Sequence, residues 1–130
     1  MDRIWNKLYN EAKRVLNPRR ISTLVDAGGV AAAILAESGK IYTGVCIDGA
    51  CSLGICAERN AIFNMITNGE SKILKIIAIN YDGKALAPCG ACRELMTQLM
   101  SEDYKNIEIM LDYEKNVVKS LKDLTPDWWI

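Results

Sequence analysis

The sequence predicts a three-layer α/β/α domain with a mixed sheet of about five strands. Half of its 130 residues are apolar, which is enough to fill one core of ordinary size. The middle of the chain has the pattern strand, helix, strand, helix, strand, which implies parallel pairing with helices packed on the sheet. A second domain has no room, so we expect residues 1–130 to form a single domain.

The first half of the chain is predicted to contain a helix and a hairpin. Apolar residues recur at helical spacing over residues 2–16, and Pro18 lies just beyond them. Residues 30–35 and 41–47 are apolar, partly β-branched runs, and residues 38–40 between them suit a hairpin loop. We therefore expect an amphipathic first helix followed by two adjacent antiparallel strands.

The second half is predicted to alternate helices and strands. A buried helix opens near Cys56 and stops at Asn68-Gly69. Residues 74–80 are a continuous apolar run, typical of a strand covered on both faces. Pro88 marks the start of another helix, because a helix tolerates proline in its first turn. Two more strands are predicted at residues 107–111 and 116–119.

Composition excludes several classes of function. Sixteen basic and sixteen acidic residues give no net charge to drive binding to nucleic acid or to a membrane surface. The absence of histidine excludes Ser-His-Asp and Cys-His catalysis and any zinc site that uses imidazole. Five cysteines are an odd number, and from the sequence we expect neither a leader segment nor a membrane-spanning segment. We expect a cytoplasmic protein whose clustered thiols serve a metal or catalysis.

Three cysteines are expected to converge at two helix N-termini. Helices on one side of a sheet that flank a parallel strand begin at the same edge, where ligands usually bind. Cys89 and Cys92 lie one helical turn apart, and Cys56 would supply a third thiolate to Zn²⁺. The open fourth position would hold a water whose lowered pKa makes it a nucleophile near neutral pH. Glu58 is the obvious proton shuttle, and Arg59 could draw charge back from the sulfurs.

Cys-x-Glu followed by Pro-Cys-x-x-Cys is the signature of zinc nucleobase deaminases in a three-cysteine form. Over nearly its whole length the chain resembles the small cytidine deaminases and the related blasticidin-S deaminases. The motifs that carry this resemblance fall in family order and spacing, at residues 44–45, 56–61, 88–94 and 124–126.

The resemblance implies specific roles for side chains and for the backbone. The implied zinc ligands are Cys56, Cys89 and Cys92. Glu58 would move protons to the ring N3 and then to the departing amine, the Ala57 amide would hold the pyrimidine O2, and the Ala87 carbonyl would accept from the exocyclic amine. The small members act as homotetramers in which an aromatic residue closes a neighbour's pocket. Trp129 is similar to that aromatic residue, and Trp128 is the alternative candidate for the same role. Both tryptophans could instead fill the chain's own core.

The chain departs from the family in the nucleoside pocket. Where cytidine deaminases have Asn-x-Glu for the ribose 3′-hydroxyl, this chain has Cys46-Ile47-Asp48. An aromatic residue of the family is replaced in the segment Gly28-Gly29-Val30. Cys46 and Asp48 are therefore candidate substrate-binding residues with altered sugar recognition, because cysteine is a weak donor and acceptor.

Plainer interpretations remain for each candidate. The thiols could be buried apolar side chains, or they could form a structural zinc site with Cys46, Cys51 or Glu58 as fourth ligand. Arg59 could be a solvated charge on a helix, and Asp48 could merely form a turn with the following glycine.

The function expected from the sequence is the zinc-dependent hydrolytic deamination of cytidine or deoxycytidine, as part of pyrimidine salvage. Deamination of another aminopyrimidine compound, such as a blasticidin-like nucleoside, is one alternative. A catalytically weak zinc fold that binds a nucleoside or a partner is another. A polynucleotide editor would need a basic groove, which the balanced charge does not favour.

Overall fold

A computed structural model describes residues 2–130, and within them it shows one mixed sheet with helices on both faces. The helices are α1 (Arg3–Val15), α2 (Ala57–Thr67), α3 (Gly90–Leu99) and α4 (Leu121–Leu124), with a 3₁₀ turn at Tyr104–Asn106. The strands are β1 (Arg19–Arg20), β2 (Asp26–Ala36), β3 (Ile41–Asp48), β4 (Ile73–Asn80), β5 (Glu108–Asp112) and β6 (Val117–Ser120). No helix in residues 2–130 is long and apolar enough to cross a membrane.

The sheet is organised around β2, which pairs antiparallel with β3 along one edge and with β4 along the other. β4 and β5 are parallel and are connected through α3, and β6 pairs antiparallel with β5. These five strands confirm the predicted mixed sheet. The sixth strand, β1, has two residues that pair with the beginning of β2, and so short a segment carries no periodicity from which to predict it.

Two hydrophobic layers pack on opposite faces of the sheet and confirm the predicted α/β/α arrangement. Side chains of β2 alternate between the faces, as a pleated strand requires. One face carries Ala31, Ala33 and Leu35, which pack against α1 through Trp5, Leu8 and Ala12. The other face carries Ala32, Ile34 and Ala36, which pack against α2 and α3 through Ala57, Ala61, Ile62, Met65 and Met96.

β2 begins at Asp26, four residues before the predicted start, and it passes through the glycine pair 28–29. Its register with β3 shifts between Ala27 and Ala31, which is typical of a bulge. Gly28 has φ +84°, and a Cβ there would lie 2.0 Å from the carbonyl oxygen of Asn17. Only glycine fits this position, so the bulge within the strand falls at a glycine.

The backbone of α2 lies directly on β3 at Gly44. A Cβ on Gly44 would approach the amide nitrogen of Ala61 to 2.3 Å and the carbonyl oxygen of Ala57 to 2.9 Å. Asn60 strengthens the contact because its Nδ2 donates to the carbonyl oxygen of Val45 at 3.0 Å. Because Gly44 has no side chain, the first turn of α2 can lie directly against β3. The candidate catalytic residues lie in this turn.

Candidate active site

Three thiols meet where α2 and α3 begin. The Sγ atoms of Cys56 and Cys89 are 3.5 Å apart, as are those of Cys89 and Cys92, and all three lie within 4.8 Å of one another. Zinc–thiolate bonds of about 2.3 Å in tetrahedral geometry place sulfurs about 3.8 Å apart. The cluster therefore has the donor type and the spacing that fit Zn²⁺, whereas a disulfide would need sulfurs about 2 Å apart.

Two of these cysteines occupy the N-cap positions of their helices. Cys56 precedes α2 and Cys89 precedes α3, both with extended backbone angles, and neither thiol caps its own helix. Their side chains are therefore free to point toward each other instead of toward the helix backbone. The positive ends of two helix dipoles lie beside the sulfurs, where they can offset negative charge in the cluster.

The pKa values of the Cys89 and Cys92 thiols shift in opposite directions. Desolvation raises the pKa of the Cys92 thiol, which is fully buried in the first turn of α3. Desolvation also acts on Cys89, but hydrogen bonds from the backbone N–H of Cys92 and from the neighbouring thiols outweigh it and lower the pKa of Cys89. Cys92 therefore favours its thiol form unless a cation compensates its burial, which is what a bound metal ion does.

Glu58 lies in the first turn of α2 and is only 6% exposed. Desolvation raises the pKa of its carboxyl group, although its own backbone N–H and the charge of Arg59 partly oppose the shift. A buried carboxyl group with a raised pKa is suited to accept a proton and to return it.

Arg59 turns back toward the cluster. Its Nη2 donates to the Sγ of Cys56 at 3.4 Å, so the guanidinium group can offset negative charge on the sulfurs. The buried Nε of Arg59 has no hydrogen-bond partner within the described residues. This geometry differs from that of a solvated surface charge.

A cavity of about 540 Å³ opens above the cluster. The predicted site residues that line it are Cys46, Asp48, Cys56, Ala57, Glu58, Arg59, Ala87 and Cys89. Cys92 lies in the core and outside the lining, so the three-thiol cluster reaches the cavity through Cys56 and Cys89. The thiol of Cys46 accepts a hydrogen bond from the N–H of Val30 at 3.2 Å, and Asp48 is exposed at the end of β3.

Several lining residues are missing from the sequence-based prediction. They are Gly54, Ile55, Asn80, Tyr81 and Leu86, whereas Gly29, Val30 and Ile47 belong to two segments that the sequence already placed in the pocket. Asn80 and Tyr81 stand where β4 ends, and the rule that ligands bind at the carboxyl ends of parallel strands could have identified them. Gly54, Ile55 and Leu86 belong to loops, whose approach to the cavity depends on the complete fold.

The tryptophans near the C-terminus lie outside the residues that line this cavity. Trp128 is partly buried, and its Nε1 donates to the hydroxyl of Thr97 at 3.2 Å. Trp129 is 71% exposed, and its Nε1 donates to Glu94 Oε1 at 2.8 Å. An exposed indole ring on the surface of α3 does not fill the chain's own core. A role for Trp129 in a neighbouring chain's site stays a prediction.

A thiol cluster that reaches a cavity beside a buried carboxyl group is typical of metal-dependent hydrolases of small molecules. The family model described as "Cytidine and deoxycytidylate deaminase zinc-binding region" matches residues 8–106. This chain belongs to that zinc-binding deaminase family.

Individual relatives agree with the family assignment. A protein from Halalkalibacterium halodurans named cytidine deaminase is 36% identical over 78 residues, which span 58% of each chain. A Bacillus cereus protein named blasticidin-S deaminase is 28% identical over 101 residues, which cover 71% of this chain and 72% of that protein. The crystal structure of cytidine deaminase from Mycobacterium tuberculosis superposes with a TM-score of 0.78 at 26% identity, covering 99% of each chain.

Proposed function

We propose that this chain catalyses the hydrolytic deamination of a cytosine-type nucleoside, releasing ammonia. The observation that carries the proposal is the position of Glu58, a buried acid beside the thiol cluster at the wall of the cavity. The family match and the relatives named cytidine deaminase support the same chemistry.

In this mechanism the residues of the chain hold the base and move the protons. Zinc bound by Cys56, Cys89 and Cys92 would supply Lewis-acid activation of the attacking water. Glu58 takes a proton from that water and delivers it to the ring N3, and a second transfer goes to the departing amine. The bond from C4 to the amine nitrogen breaks, and the water oxygen remains as the carbonyl group. The Ala57 amide and the Ala87 carbonyl, which both belong to lining residues, would hold O2 and the amine.

The charges of the cavity favour a nucleoside over a nucleotide. Arg59 is the only cationic residue among the described residues that line it, and its guanidinium group already donates to Cys56. Asp48 and Glu58 both contribute carboxyl groups to the lining. A phosphate group would meet carboxylate charge without a free cation to balance it, which costs binding free energy.

A second candidate is an aminopyrimidine nucleoside with a different sugar or a cationic substituent. The relative named blasticidin-S deaminase and the carboxylate of Asp48 near the exposed side of the cavity favour this alternative. A catalytically weak nucleoside-binding fold is less well supported, because burying a carboxyl group such as Glu58 without a chemical role is costly.

The test of the proposed function is ammonia release from a panel of cytosine nucleosides and nucleotides. We expect weak but detectable turnover of cytidine and deoxycytidine and less of the nucleotides, because Cys46 replaces a stronger hydrogen-bonding side chain. A Cys46→Asn, Asp48→Glu double variant should gain about three- to tenfold in kcat/KM on cytidine. This gain corresponds to the net free energy of one hydrogen bond. The oxygen of the introduced side-chain amide could still accept from Val30, while its NH₂ group would be free for the sugar.

Cys51→Asn is the matched control, because Cys51 is exposed and lies outside the residues that line the cavity. Its φ of 59° is one that asparagine tolerates, so this variant should keep the parent's kcat/KM. Efficient wild-type turnover of cytidine without a gain in the double variant would contradict the assignment of Cys46 and Asp48 to the sugar. Turnover of no member of the panel would contradict the proposed function.

We further propose that the protein is a cytoplasmic homotetramer that serves pyrimidine salvage, with Trp129 closing a neighbour's cavity. The support is the family membership and the 71% exposure of Trp129. Sedimentation should show a tetramer. Trp129→Ala should lower kcat/KM by about three- to tenfold, because an aromatic contact to the substrate is lost. Trp129→Phe should keep this contact and a kcat/KM close to that of the wild type. A fully active monomer, or a Trp129→Ala variant with unchanged kinetics, would overturn the shared-pocket arrangement.

A further inference from the structure

One wall of the cavity carries a tyrosine that the mechanism above does not use. Tyr81 follows the last residue of β4 and is the only aromatic residue among the described residues that line the cavity. It is 70% exposed, so little of its ring is packed against the chain itself. A large amphipathic side chain at the rim of a cavity is available to cover whatever the cavity binds.

The backbone that carries Tyr81 is held by a compact set of hydrogen bonds. The N–H of Tyr81 donates to Asn80 Oδ1 at 3.0 Å, and the N–H of Asn80 donates to the carbonyl oxygen of Lys84 at 2.8 Å. The N–H of Gly83 closes the turn on the carbonyl oxygen of Asn80 at 2.8 Å. From the other side of the sheet, the Tyr9 hydroxyl donates to the carbonyl oxygen of Gly83 at 3.0 Å. Placing the ring over a ligand therefore requires little further ordering of the backbone.

Apart from Tyr81, the described lining residues of this chain offer no aromatic partner to a flat face of a ligand. The thiol cluster and Glu58 offer polar groups to the reacting edge of a base, and Val30, Ile47 and Leu86 offer aliphatic contacts. A pyrimidine is planar and has two π faces, and stacking of a base on an aromatic side chain contributes strongly to binding.

We propose that Tyr81 is a specificity-determining residue that stacks on the face of the bound base at the mouth of the cavity and selects planar pyrimidines. This role rests on the proposed function, because it takes the ligand to be a nucleoside. Tyr81 contacts the substrate and leaves the proton transfers to Glu58. Its loss therefore raises KM and leaves kcat nearly unchanged.

The experiment compares wild type with Tyr81→Ala and Tyr81→Phe. On cytidine, Tyr81→Ala should raise KM by about 5- to 150-fold, the range measured for loss of one base-stacking side chain, while Tyr81→Phe stays close to wild type. Leu74→Ala is the control, since Leu74 is an exposed apolar residue at the opposite end of β4 and lies outside the cavity lining. It should leave KM unchanged.

A second measurement, binding by calorimetry, isolates stacking from general damage to the site. Uridine is planar, whereas 5,6-dihydrouridine has the same hydrogen-bonding groups on a puckered ring. Wild type and Tyr81→Phe should bind uridine more tightly, and Tyr81→Ala should lose most of that preference. An unchanged preference in Tyr81→Ala, in an enzyme that deaminates cytidine, overturns the role of Tyr81 alone. An enzyme that neither deaminates cytidine nor binds uridine overturns both this role and the proposed function.

Discussion

A Glu58→Gln variant should keep its fold and its zinc but lose about a hundred- to ten-thousand-fold in kcat. Glutamine has nearly the same shape, so it fits the buried position in the first turn of α2. Its amide cannot accept a proton from water and return it to the ring. Ammonia release measures the loss, and metal analysis of the same sample shows whether zinc is retained.

Glu102→Gln is the matched control, because Glu102 lies in an exposed turn and outside the cavity lining. It makes the same chemical change without touching the site, so its turnover should equal that of the wild type. A Glu58→Gln variant with near wild-type kcat and full zinc content would be incompatible with the proton-shuttle role.

Zinc should be present at one ion per chain, and Cys92→Ser should reduce its affinity by more than about a hundredfold. Changes to groups that only support metal ligands already cost about ten- to a hundredfold, so loss of a ligand should cost more. Cys92 is fully buried, and its serine replacement would leave a hydroxyl group in place of a thiolate beside Cys89. Metal analysis after dialysis against a weak chelator measures the difference.

Cys51→Ser serves as the control for this change, because Cys51 is an exposed loop residue outside the three-thiol cluster. It should retain a full complement of zinc and full activity. Stoichiometric zinc that survives in Cys92→Ser under the same dialysis would show that the metal binds elsewhere.

Much of the fold could be predicted because its main elements are long and periodic. The helical spacing before Pro18 and the apolar runs at 41–47 and 74–80 correspond to α1, β3 and β4. Two elements escaped prediction because they are held by tertiary contacts. β1 consists of two arginines that are ordered by pairing with β2, and α4 is a single turn anchored by Leu121 in the core.

The candidate site also contains residues that could be predicted from the sequence and residues that could not. Cys56, Cys89 and Cys92 could be placed together because ligand chemistry demands a definite spacing along helices. The end of β4 could have pointed to Tyr81 as a neighbour of the site, but the placement of its ring at the cavity depends on a turn that Tyr9 holds from the opposite face of the sheet. Tyrosine in a turn has no distinctive sequence signal, whereas Cys-x-x-Cys does.

The main-chain contact between Gly44 and α2 bears on how this site can evolve. Gly44, Cys46 and Asp48 lie on the same side of β3, since side chains two apart on a strand share a face. The contact that orients α2, and with it Glu58, is made by main-chain atoms at the glycine. Changes at residues 46 and 48 therefore leave this main-chain contact in place. On the proposed assignment of Cys46 and Asp48 to the sugar, natural selection can retune which sugar the cavity accepts while the chemical step stays intact, so this strand would make the scaffold evolvable.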